Sequence, residues 1–178
     1  MNRHLFITGE KGIGKSTLLK KIVEREITGS NEKKNISGFL TKRIEDKEIK
    51  RFMVHLLNIN GSFENIEKPS KENILFYCND VNRAVNSAYR FDVLGSKALS
   101  RIHDKDIVIM DELGPSESRA LKFKTAIFNV LDGKYGNVTV YGVLQKADSD
   151  FLTEISQRKD VKLIKMTIEN RNELYNKL

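Results

Sequence analysis

The sequence predicts an α/β fold in three layers, a mostly parallel sheet with helices on both faces and a β-hairpin insertion. Two observations predict it. "HLFIT" is a mostly apolar run that passes through a glycine-rich turn into "STLLKKIVEREI", where Leu18, Leu19, Ile22, Val23 and Ile27 share one helical face. From residue 106 onward, strand and helix patterns alternate to the end, which calls for parallel strands joined by crossover helices. At 178 residues the chain suits one domain, 1–178, with a full core.

After the first helix, "NEKKN" (31–35) reads as a polar loop. "ISGFLTKRI" and "RFMVHLLNI" read as strands, and the charged "EDKEIK" between them reads as the turn of an antiparallel hairpin. The segment from about 28 to 80 is thus an insertion in the domain. "NGSFENIEKPSKEN" (60–73) is turn-rich and reads as irregular, and "ILFYC" as a short strand. "FDVLGSKALSRIHD" (91–104) predicts a helix that Gly95 weakens. "DIVIM" (106–110) is a buried strand, and "SRALKFKTAIFNVLDGKYG" a helix ending near Gly133. "NVTVYGVL" (137–144) is a strand, "DSDFLTEISQRKD" a helix, "VKLIKMTI" a strand and "ENRNELYNKL" a closing helix.

Composition excludes several classes. The longest aliphatic run is "IVIM", far too short to span a bilayer, so no membrane association is expected. The first strand begins almost at once, so no leader is expected. The single cysteine, Cys78, cannot form an internal disulfide and reads as a buried small hydrophobe. A cytoplasmic monomer is the expectation. The net charge of +7 is concentrated early: residues 1–60 carry 13 Lys/Arg against 7 Asp/Glu, and the remainder 18 against 17. A polyanionic small ligand would be drawn there. Nucleic acid is the less favoured partner, because there is no RNA-recognition or helix-turn-helix signature and no arginine-rich tract. A solvated lysine-rich surface accounts for most of the charge. His4, His55 and His103 are scattered singly, without metal-ligand spacing.

The chemistry lies in two stretches. In "GEKGIGKST" the residues Gly9, Gly14, Lys15 and Ser16 fit the phosphate-loop pattern G-x-x-x-x-G-K-[ST]. Glycines let backbone N–H groups curl around a polyphosphate, and the following helix presents its free N–H groups to the same anion. Lys15 would reach the β- and γ-phosphates, the Ser16 hydroxyl would sit on Mg²⁺, and Thr17 could reach the α-phosphate. In "DIVIMDELG" an apolar strand delivers Asp111 and Glu112 at its carboxyl end, where open α/β sheets bind ligands. Asp111 is the metal-side acid, often acting through water, and Glu112 the candidate to orient or deprotonate an attacking water. "NVTVYGVLQKAD" is expected beside the phosphate-loop strand, which would turn Gln145 and Lys146 toward the γ-phosphate. A plain loop is the competing reading. For a transition-state cation the candidates are Arg119, Arg158 and Arg171.

Four stretches in order, "FITGEKGIGKSTLL", "SGFLTKRI", "IVIMDELGPSES" and "RKDVKLIKMTIENRNEL", resemble the THEP-type family of nucleoside-triphosphatases, also called cancer-related nucleoside-triphosphatases. The resemblance implies a three-layer P-loop NTPase fold. It also implies slow Mg²⁺-dependent hydrolysis of ATP, GTP and other nucleoside triphosphates with little base selectivity. Carried over, Gly9, Glu10, Lys11, Gly12, Ile13, Gly14, Lys15, Ser16 and Thr17 form the phosphate loop. Asp111 and Glu112 form the Walker B pair, and Leu113 and Gly114 continue that wall. Glu117 matches the Glu of a D-E-I-G-x-x-E-L stretch. Asn170 and Arg171 match a late E-N-R near the base. The sequence departs where the family commonly has Lys-Met or Pro-Leu after the glycine and Leu after the Glu; here stand Pro115-Ser116 and Ser118. Three activities are compatible with these residues: a hydrolase releasing phosphate, a nucleotide or small-molecule kinase needing an acceptor pocket, and a nucleotide-dependent switch or RNA-associated factor.

Overall fold

The computed structural model describes residues 3–30, 34–48, 50–80, 83–104 and 106–177. Its elements in chain order are β1 (His4–Gly9), α1 (Lys15–Thr28), β2 (Ile36–Asp46), β3 (Arg51–Asn60), β4 (Ser62–Ile66), β5 (Ile74–Tyr77), α2 (Arg83–Arg90), α3 (Ser96–Leu99), β6 (Ile107–Leu113), α4 (Leu121–Leu131), β7 (Thr139–Gln145), α5 (Asp150–Ser156), β8 (Val161–Met166) and α6 (Arg171–Asn176). The eight strands form one sheet in the order β4-β3-β2-β6-β7-β1-β8, with β5 also paired with β3. Strands β2, β6, β7, β1 and β8 are mutually parallel. β2 and β3 form the expected antiparallel hairpin.

Parallel strands buried on both faces must be apolar on both faces. In β6, Ile107 and Ile109 face a layer that holds Leu18, Leu19 and Val23 of α1. Val108 and Met110 face the other layer, with Phe123, Ile127 and Val130 of α4 and Phe151, Leu152 and Ile155 of α5. Full burial of each such side chain contributes about 1.5–3 kcal/mol. Helices on both faces follow directly from this two-sided demand. Among the described residues no helix is long and apolar enough to cross a membrane.

Four stretches differ from the sequence reading. Residues 60–73 are not wholly irregular: β4 pairs with β3 around Gly61, bringing Ile59 opposite Ile66. Asn73, buried at the end of that stretch, accepts from Ser70 N at 3.0 Å and donates to Lys68 O at 2.9 Å. The helix expected at 91–104 starts earlier and stops sooner, running from α2 through a π-helical turn (Phe91–Gly95) into α3. Gly95 is the packing surface there, since a Cβ would lie 2.4 Å from the Phe123 ring. After Leu99 polar side chains capture the backbone: Asp106 Oδ2 accepts from His103 N and Asp104 Oδ1 from Asn137 N. Before α4, residues Pro115–Arg119 form a 3₁₀ turn, not the start of the helix, and α5 stops at Ser156. Of the loop expected at 31–35, residues 31–33 lie outside the described residues.

His4 anchors the start of β1. Its Nδ1 accepts from Val140 N at 3.1 Å, and its Nε2 lies 3.2 Å from Leu131 O. Both bonds suit the neutral ring, and burial pushes its pKa below 6.5. The folded protein therefore binds fewer protons than the unfolded chain just below pH 6.5, so stability falls as the pH drops through that window. In denaturant titrations from pH 7.5 to 5, His4→Gln should flatten this part of the profile.

Candidate functional site

The loop from Gly9 to Gly14 joins the half-buried tip of β1 to α1. Two glycines in it are obligatory by geometry. Gly9 has φ +150° and a Cβ there would sit 2.2 Å from Met166 O, while Gly14 has φ +101° and its carbonyl accepts from Tyr175 Oη at 3.0 Å. Because Gly14 is the N-cap, α1 begins with no side-chain cap and no acid in its first turn. Its first N–H groups and positive dipole end are thus left for an anion.

Lys15 is buried to 7% exposure. Its ammonium donates to Gly9 O at 3.0 Å and Glu10 O at 2.9 Å, and lies 3.8 Å from Glu112 Oε1. The Ser16 hydroxyl donates to Asp111 Oδ1 at 3.1 Å. Both acids stand at the carboxyl end of β6. Glu112 is the extra residue of a bulge, since Asp111 pairs with Val143 and Leu113 with Leu144. Bulges re-aim side chains. The Glu112 peptide bond with Asp111 is cis, and Glu112 N donates to Thr41 Oγ1 at 3.3 Å. Burial raises the Asp111 carboxyl to about 6 against the Ser16 hydrogen bond, with the Glu112 charge adding to the rise.

The two stretches singled out in the sequence therefore converge. β7 lies between β1 and β6, so Gln145 and Lys146 stand at the tip between loop and acid pair. Lys146 is ion-paired with Glu10 at 2.5 Å. These residues open on a cleft of about 680 Å³, with Lys15 and Glu112 on one side and Thr41, Arg43, Val54 and Phe76 of the β2–β3–β5 face on the other. Cys78, expected in the core, is half-buried and lines this cleft. A second cavity of about 500 Å³ lies on the other side of β1, bounded by Ile13, Met166, Thr167 and Ile168.

The remaining residues lie elsewhere. Leu113 is fully buried in the core, and Gly114 abuts the Gln145 amide. Glu117 is buried in the 3₁₀ turn, and Arg119 is exposed. The Asn170 carboxamide accepts from Thr167 N at 2.8 Å and donates to Lys165 O at 2.8 Å, bracing the β8–α6 turn. Arg171 is exposed at the start of α6. Arg158 is held by Asp160 at 2.9 Å and Asp132 at 2.8 Å, near Leu131 and hence at the end of the sheet opposite the loop. The sequence reading overlooks Thr41 and Arg43, because only the pairing of β2 with β6 brings them to the acids.

A family model described as NTPase matches residues 4–178. The nucleoside-triphosphatase THEP1 of Methanocaldococcus jannaschii is 30% identical over 185 residues, covering 98% of this chain and 94% of that one. The cancer-related nucleoside-triphosphatase homolog of Bos taurus is 29% identical over 182 residues, covering 98% and 93%. Among solved structures, the crystal structure of THEP1 from Aquifex aeolicus aligns with a TM-score of 0.63 and 27% identity, covering 98% of this chain and 96% of that one. The fold is that of the P-loop NTPases.

Asp111 is half-buried. An acid whose folded-state pKa is raised loses stability as it ionises, here from the ordinary carboxyl value of 3.8 up to about 6. The loss is on the order of 3 kcal/mol. In divalent-free buffer at pH 7.5, Asp111→Asn should unfold at higher denaturant than the unsubstituted protein, with the difference vanishing near pH 4. A variant less stable at pH 7.5 would show that burial does not dominate at this position.

Proposed function

The chain belongs to the NTPase family, and we propose that it hydrolyses nucleoside triphosphates to the diphosphate and phosphate with Mg²⁺ and little discrimination among bases. The observation that carries the reading is the placing of an ammonium and a carboxylate 3.8 Å apart beside an uncapped helix N-terminus. Lys15 and the loop amides would bind the β- and γ-phosphates and take up charge developing on them. Glu112 would orient the attacking water and accept its proton. The water oxygen forms a bond to the γ-phosphorus, the bridging P–O bond breaks, and the electron pair leaves on the diphosphate.

Ser16 and Asp111 suit Mg²⁺. They offer a hydroxyl and a carboxylate 3.1 Å apart, and the carboxylate sits where burial disfavours an uncompensated charge. Among the described residues no cluster of three or more His, Cys, Asp or Glu could hold a metal. The ion would be held by one or two protein oxygens, phosphate and water. When bound, Mg²⁺ would neutralise charge on the β- and γ-phosphate oxygens.

The cavity beside Ile13, Met166 and Ile168 is the proposed place for the base. Apolar walls stack any base and discriminate weakly between them. Asn170 would support this wall by bracing the turn behind it, and Arg171 would stand at its edge. The chain would act as one domain, a cytoplasmic monomer working on free nucleotides.

Phosphate release with Mg²⁺ and ATP, GTP, CTP or UTP tests the reading. All four should turn over without an added acceptor. Lys15→Ala should lower kcat by on the order of 10²–10³-fold, the scale of losing one preorganised charge-stabilising donor, and Glu112→Gln should do likewise while keeping nucleotide affinity. Turnover that begins only when an acceptor hydroxyl is added would overturn the hydrolase reading in favour of a kinase.

A further inference from the structure

Phosphoryl transfer needs positive charge on the equatorial oxygens of the transferring group, beyond what the lysine of the loop supplies. None of the three arginines legible in the sequence lines the 680 Å³ cleft beside Lys15 and Glu112. Arg158 is tied to Asp132 and Asp160. Lys146, which does line the cleft, is engaged by Glu10.

One arginine does line it. Arg43 lies two residues beyond Thr41 on the same face of β2, and Thr41 Oγ1 accepts from the backbone N–H of Glu112. The step between them is about 7 Å, a distance an extended arginine spans. Across the hairpin Arg43 pairs with Val54, and Val54 with Phe76, so the three form one row along the cleft wall. The guanidinium rests on the face of Phe52, 4.1 Å from its centroid. Among the described residues Arg43 makes no ion pair. No described carboxylate is ion-paired with it, and its position is held by a stacking contact worth about 0.5–1 kcal/mol at an exposed site. A γ-phosphate would draw it away readily.

We propose that Arg43 is a catalytic residue, the cation that turns from Phe52 onto the γ-phosphate and binds its oxygens as charge builds in the transition state. The planar fork suits two oxygens of one phosphoryl group. The hairpin then has a function in catalysis: it carries, within the same chain, a cation that faces Lys15 across the reacting phosphorus. The proposal rests on the hydrolase reading for its chemistry.

The test compares the full chain with Arg43→Ala and Arg43→Lys. Three quantities are measured: kcat and KM for MgATP, the Kd for MgADP, and the Kd for MgADP with aluminium fluoride, which mimics the planar phosphoryl group. Arg43→Ala should lose kcat by on the order of 10²-fold, keep the MgADP Kd within twofold, and lose most of the tightening that aluminium fluoride confers. Arg43→Lys should recover part of both. Unchanged kcat in Arg43→Ala would overturn the proposal. So would a loss of MgADP affinity equal to the loss of kcat, which marks a structural role. If the unsubstituted protein releases no phosphate, the hydrolase reading fails by itself. The aluminium fluoride comparison then decides Arg43 separately: equal tightening in both proteins overturns the assignment, and tightening lost in the variant upholds it.

Discussion

A parallel sheet covered on both faces has nowhere to keep polar side chains except at its edges. In β1, β6 and β7 nearly every position between the ends is apolar and buried, so Lys15, Asp111, Glu112, Gln145 and Lys146 can stand only where the strands run out. Because these strands are parallel, their carboxyl ends lie along one edge of the sheet. Close packing of the core thus brings together charged groups that lie about a hundred residues apart in the chain. A change in the register of β6 against β7 would move Glu112 relative to Lys15 before it disturbed any contact at the site itself.

Charges at this edge are unevenly balanced, and the imbalance gives the site its character. Lys15 is nearly buried and shared among two carbonyls and one carboxylate. Asp111 is held by a single hydroxyl in a place that raises its pKa. α1 starts without an acid to answer its dipole. Arg43 leans on an aromatic ring. Each of these groups would gain from a ligand bearing phosphates and a divalent cation. By contrast, Arg158 and His4 at the far end of the sheet are already supplied with partners, and they fix the strand starts.

What the sequence discloses divides along the same lines. The glycine-rich turn, the acid pair and the alternation after residue 106 are legible because each is a local pattern within about a dozen residues. β4 is not, because it exists only by pairing with β3 around Gly61. The true start of the helix before α3 is obscured because Gly95 marks a contact with Phe123, not a helix end. Arg158 stands just ahead of β8, and a crossover helix returns the chain to the end of the sheet opposite the loop, where Asp132 and Asp160 hold it. Arg43 hides for the opposite reason. Nothing in "ISGFLTKRI" says which strand it adjoins, and the pairing of Leu40 with Asp111 is what sets the hairpin against the site.

The triphosphate would lie at one edge of the sheet, between Lys15 and the β6 acids. The direct measurement is a crystal structure with Mg²⁺ and a non-hydrolysable ATP analogue. Lys15 Nζ should have moved from the Gly9 and Glu10 carbonyls onto the β- and γ-phosphate oxygens, with the metal beside Ser16 and Asp111 and the γ-phosphate facing Glu112 and Arg43. A nucleotide bound elsewhere, such as in the cavity at the opposite edge near Asn58, Lys97 and Arg101, with Lys15 still on its carbonyls, would contradict it.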